Sequence, residues 1–227
     1  MAQATGNAKN ILVGASPLFI SNIDVTAGSA YKENAEPGSS DAIAFNSAKS
    51  YTESLNSVDS GAFYYRNVGY TNNGLQITYN PTYGSVTVDQ LLDTAKLFKE
   101  TMEVMIATEM SEGTLENTLV VFGQGAATLT GTKDSANQTL GLAAGALGQA
   151  PTERQLIAIG QAPTVAKTTT ERVYYARRVL SVQQSQFSLA RNNPTTFPVT
   201  FRLLPSGDSA YAGQEYGKII DRNWTPA

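Results

Sequence analysis

The chain has 227 residues, 41% of them apolar, with 16 basic against 19 acidic side chains and a net charge of -3. It contains no histidine and no cysteine, which excludes Ser-His-Asp and Cys-His nucleophiles, imidazole or thiolate metal sites and any disulfide framework. What remains for an enzyme is carboxylate chemistry, a glycosidase pair or an oxygen-ligated cation, and the near-balanced charge argues against tight phosphate binding.

At this length a sizeable core is available, and one large β-domain fits as well as two small ones; with no domain linker in the sequence, the chain reads as one domain over 1–227. No run of about 18 apolar residues occurs, so no membrane span is expected. The opening "MAQATGNAKN" is polar, without the apolar stretch of a secretion signal, and reads as a flexible or docking arm over 1–9.

"NILVGASPLFISNIDV" (10–25) is strand-like, with Gly14 and Pro17 marking a kink or break. A polar stretch rich in Ser, Asn, Gly and Ala follows over 26–61, far longer than an ordinary loop. It reads either as an insertion with no role or as a functional segment, with Ile43, Phe45 and Tyr51 as its few apolar anchors. "NVGYTNNGLQITYNP" (67–81) predicts a β-hairpin turning at Asn73-Gly74, because both positions tolerate positive φ. "YGSVTVDQLL" then starts another strand through Val86 and Val88.

Periodicity leaves 89–110 open. Leu91, Ala95, Phe98, Met102 and Met105 follow helical spacing, whereas Met102, Val104, Ile106 and Met110 alternate with Thr101, Glu103 and Glu109 as in a strand. "TLENTLVVFG" (114–123) is the clearest helix, with Thr114 as its cap, Glu116 in its first turn and Gly123 as its stop. Its apolar stripe is Leu115, Leu119 and Phe122.

Residues 124–150 are Gly-, Ala-, Thr- and Leu-rich; "GLAAGALG" lacks the Lys-Ser or Lys-Thr of a phosphate loop and reads as a small-residue strand and turn. "RQLIAIGQAP" (154–163) is a short apolar strand. "ERVYYARRVLSVQQSQFSLA" (171–190) turns at "RNNPTT" to pair antiparallel with "FPVTFRLLP" (197–205), with a bulge or bend near 183–185. The adjacent pairs Tyr64-Tyr65 and Tyr174-Tyr175 place one ring on each strand face, and "YGKIIDR" forms a last short strand.

In their order, "VGYTNNGLQITYNP", "VTVDQ", "EVMIATEMSEGTLENTLVVFG" and "FPVTFRLLPSG" near "YGKIIDR" resemble the major tail tube proteins of long-tailed bacteriophages, over roughly residues 60 to 222. The resemblance implies a mainly β fold, a β-sandwich or partial barrel with one short flanking α-helix, and it favours a strand over 100–110. It implies no enzyme activity, cofactor or metal. It also implies rings, six copies each, that close their inner sheets into a continuous β-barrel and stack into the tail tube that conducts DNA during ejection. The implied partners are further copies of the chain, the tape measure protein and other tail proteins, with double-stranded DNA in transit but not tightly bound. The implied location is the virion tail, and the host cytoplasm during assembly. The resemblance also implies that 26–61 is an arm that orders between subunits.

On that reading the polar face of 100–110 lines the lumen through Thr101, Glu103, Ala107 and Glu109, with Met105 as the exception. Two acids per copy then repel the phosphate backbone as DNA slides. The bland alternative is that these acids solvate an outer surface. Rival readings of the whole chain are a capsid decoration or other virion β-protein, and a carbohydrate-binding module suggested by its 11 tyrosines.

Overall fold

Apolar residues between 154 and 181 build the centre of the molecule. In the computed structural model, whose described residues are 14, 16–21, 65–131, 137–148, 151–163, 170–183, 185–189, 191–192 and 194–224, these form strands β7 (Arg154–Gln161) and β8 (Thr170–Ser181). Preceding them are β1 (Leu18–Ser21), β2 (Tyr65–Asn67), β3 (Thr71–Thr87), β4 (Thr94–Met110), helix α1 (Leu115–Val121), β5 (Leu129–Thr130) and β6 (Thr139–Leu140). Strands β9 (Phe197–Leu203) and β10 (Gly217–Asn223) follow. The fold is mainly β: one open antiparallel sheet in the order β2-β1-β7-β8-β9-β4-β3, with β10 also on β8, and a separate β5–β6 pair.

The central strands are buried on both faces, which is why "LIAI" is a continuous apolar run rather than an alternating one. Leu156, Ala158 and Ala176 enter one apolar cluster with Leu18 and Ile20; Ile157, Ile159, Val173 and Tyr175 enter a second with Phe19 and Tyr65. The two adjacent tyrosines of β8 do take opposite faces, Tyr175 in the second cluster and Tyr174 packed against the first.

Strand β8 serves two partners end to end along one side. Its first half pairs with β10 as far as Ala176↔Gly217, and its last residues pair with β9 from Val179↔Leu203. Two neighbouring ion pairs fix the β10 register: Arg172 with Asp221, bidentate at 2.5 and 2.7 Å, and Arg222 with Glu171 at 3.1 Å. Strand β8 is a 12-residue strand that ends at Ser181, well short of the end of the run 171–190; the described residues 182–183 and 185–189 are irregular, and its pairing with β9 spans three residues.

Asn73-Gly74 does not turn the chain. Both residues have positive φ (60° and 67°), as their chemistry suggests, but they form a bulge inside β3. Asn73, Gly74 and Leu75 stand opposite Thr108 alone, whose hydroxyl donates to the Gly74 carbonyl at 2.9 Å. The segments read as two strands around Val86 and Ile77 are therefore one 17-residue strand. The true turn lies at Val88–Leu91, closed by the Leu91 amide on the Val88 carbonyl. Segment 94–110 is a strand throughout, and its helical spacing has no structural counterpart.

Helix α1 is capped by Thr114, whose side chain accepts the Asn117 amide at 3.3 Å, and Gly123 follows it with φ 64°. Its core-facing residues are Leu119, Val120 and Val121; Phe122, expected on the buried stripe, is exposed. Asn117 is the polar anchor. It donates to the carbonyls of Val68 and Glu112, both at 2.9 Å, and accepts from Arg66 at 2.6 Å. Burial, then the neighbouring Arg154, pulls the pKa of the Arg66 guanidinium down to about 10, with Glu116 opposing. "GLAAGALG" contains no strand; apart from a turn at Leu147–Gly148 its backbone is irregular, and the pairing nearest to it is β5–β6.

Candidate assembly surface

Strands β3 and β4 continue well past the sheet that carries them. Strand β4 is held by β9 only between Met105 and Met110, so its residues 94–104, paired with β3 alone, form a two-stranded ribbon about 35 Å long. Nine of the sixteen large apolar side chains exposed among the described residues lie between Ile77 and Phe98 on this ribbon. Exposed apolar side chains gathered in one place, rather than scattered, mark a contact surface.

The ribbon has two unlike faces. On one, Ile77, Tyr79 and Tyr83 pair with Ile106, Val104 and Lys99, and the Lys99 ammonium stands 5.9 Å from the centre of the Tyr79 ring. On the other, Gln76, Thr78, Asn80 and Thr82 pair with Ala107, Met105, Glu103 and Thr101, and the two threonine hydroxyls hydrogen-bond at 2.5 Å. A bulge between Thr82 and Tyr83 reverses which β4 residues share a face, which is how Lys99 reaches the tyrosine side.

All four lumen candidates of β4 share this polar face. Thr101 is exposed, and Glu103, Ala107 and Glu109 are half-buried. Arg202 of β9 reaches Glu103 at 3.7 Å, so between Thr101 and Glu109 the face carries two acids and one base rather than acids alone. Asn72 approaches Glu109 at 3.5 Å. The arm candidates Ile43, Phe45 and Tyr51, with the whole 26–61 stretch and the 1–9 arm, lie outside the described residues.

At the root of the ribbon its apolar face meets the fork in the sheet. Strand β9 ends at Leu203 and β10 begins at Gly217, and β4 shares no ladder with β10. The wedge between them is an open, mainly apolar cleft of about 420 Å³, lined by Tyr79, Met102, Tyr174, Tyr216, Lys218 and Ile219 among others.

No known family model and no curated protein matches this sequence.

Much of this surface escaped the sequence reading. Ile77, Tyr79 and Tyr83 alternate visibly in "ITYNPTY", but the fork depends on β9 and β10 sharing one side of β8, a long-range arrangement no local pattern records. Among the described residues no group of three or more acids is placed to hold a metal ion. None of their helices is long and apolar enough to cross a membrane.

Proposed function

We propose that the chain is a structural virion protein that polymerises as stacked rings, six copies each, into the tail tube that conducts phage DNA during ejection. The observation that carries this reading is the ribbon: a strand pair with one apolar and one polar face up to the bulge at Thr82, and, among the described residues, no strand beyond its outer edge. Isolated two-stranded ribbons are marginal in water, and open edges invite further pairing. Closing copies side by side supplies both the missing strand neighbour and the missing apolar cover.

With the apolar face turned to the protein wall, the polar face lines the pore. Between Thr101 and Glu109 it carries Thr, Asn and Gln around Glu103 and Glu109, with Arg202 beside Glu103; past the bulge it continues through Val86, Lys96 and Phe98. Such a wall offers phosphates almost nothing to bind, so DNA passes without adhering. The chain acts in this role without catalysis, cofactor or metal, and its partners are further copies, the tape measure protein and other tail proteins. Its place is the tail, reached from the host cytoplasm during assembly.

Electron microscopy of the purified protein, alone and seeded with tail-initiation components, tests the reading. Rings or tubes with a central channel support it. Monodisperse monomers under both conditions overturn it, and copies bound singly to capsids point instead to a decoration protein.

A further inference from the structure

We propose that the cleft at the root of the ribbon receives the ribbon tip of a second copy, with Leu91 and Leu92 of one chain seated between β4 and β10 of the next. This rests on the reading of the chain as self-assembling and names the contact that joins the copies.

The tip is built as an apolar plug with an acidic collar. Leu92 is fully exposed and Leu91 more than half so, although they stand at the end of a strand pair where solvent favours polar residues. Asp89 and Asp93 flank them, and no base lies between Val86 and Asp93. The cleft is the complement. Among the described residues its lining carries no carboxylate, it includes Lys218, and Lys99 lies over the ring of its Tyr79. Its volume falls within the range of pockets that bury a compact apolar group. Opposite charge around an apolar centre gives the contact a register as well as an affinity.

Geometry excludes self-insertion, because the extended antiparallel strand pair separates its own tip from its own root by about 35 Å. Tip and cleft are also different surfaces, so the contact is head-to-tail. Head-to-tail contacts generate closed rings or open chains rather than two-fold dimers.

The absence of cysteine makes the test direct. Leu92→Cys and Ile219→Cys are prepared as separate chains, both at exposed positions, mixed and oxidised. The expected product is a disulfide between position 92 of one chain and 219 of the other, exceeding the 92–92 and 219–219 products. Adding Lys218→Glu to the second chain lowers its yield about two- to five-fold, and adding Asp89→Lys with Asp93→Lys to the first restores it. Predominance of either like-with-like product, or no 92–219 product at any concentration, overturns the proposal. So does closure within a single chain carrying both cysteines. Microscopy of the same samples separates the two readings. Rings without the 92–219 link leave the tube intact and remove this contact; linked open chains without rings do the reverse.

Discussion

Phe98 lies across the ribbon over Gly84, so close that a Cβ added to the glycine would come within 2.6 Å of its ring. The two are register partners, and the aromatic ring covers backbone that a glycine leaves bare. Phe98→Ser should remove that cover at a cost of about 0.2–1 kcal/mol, confined to the outer ribbon. Amide hydrogen exchange should quicken between 84 and 98 while the melting temperature of the sheet holds. Unchanged exchange there would show that the ring contributes nothing.

Asn117→Ala removes a side chain that ties three elements together. It leaves the carbonyls of Val68 and Glu112, and the Arg66 guanidinium, short of a partner in a buried setting. The expected loss is about 2–4 kcal/mol, read as a fall in denaturation midpoint at constant slope. A loss below about 0.5 kcal/mol would mean that water replaces the amide.

Tyr79→Ser combined with Leu97→Ser should separate folding from assembly. Both side chains are more than half exposed in the single chain, so monomer stability should move by less than about 0.5 kcal/mol. Sedimentation should show association weakened at least ten-fold. Normal assembly of the double variant would exclude the apolar face of the ribbon as a contact.

Glu103→Lys with Glu109→Lys reverses the charge of the polar face and sets a lysine beside Arg202. Tubes should still assemble, and DNA ejection from particles carrying them should slow or stall, because a basic lining holds phosphate. Normal ejection kinetics, or a structure of the tube with both side chains on its exterior, would remove these residues from the lumen.

The Arg172–Asp221 pair sets an acid limit on the β10 edge. The Arg172 hydrogen bonds hold the Asp221 carboxyl below its ordinary 3.8. A lowered folded-state value means the pair's stabilisation is fully present above about pH 4 and is lost as pH falls through that lower value. Both groups are solvent-accessible, so the contribution is about 0.2–1 kcal/mol. Asp221→Asn should lower the melting temperature slightly at pH 7, with the gap to wild type closing in strong acid and in high salt. A gap independent of pH would assign the effect to packing.

The positive φ at Asn73 and Gly74 was legible from residue type, but the use made of it was not, because a turn and a bulge ask for the same backbone. What decides between them is Ile77 through Thr87 finding partners in Thr94–Ile106, further along the chain. Helical spacing at Leu91, Ala95 and Phe98 misled for a related reason. Over so short a span, a strand with bulges at Thr82 and Val86 does not alternate strictly, and its apolar residues mimic a helical period. The Thr114 cap and the "LIAI" core were legible because each depends on neighbours in sequence or on burial alone. Asn117 could have been singled out as an amide within a helix, a position where such residues need a partner.

A ribbon with one layer has little of its own to hold it, so its outer strands belong to the loosest part of the free molecule. When two free copies meet, the ordering cost falls on both at once. In the proposed ring, a joining copy would meet a ribbon already stiffened and would lose only its own freedom. Growth from an existing end is therefore favoured over spontaneous starts. On the proposed assembly the free pool would stay dispersed until something supplies the first ordered edge, and control of tube formation would lie with the seed rather than with the concentration of the subunit.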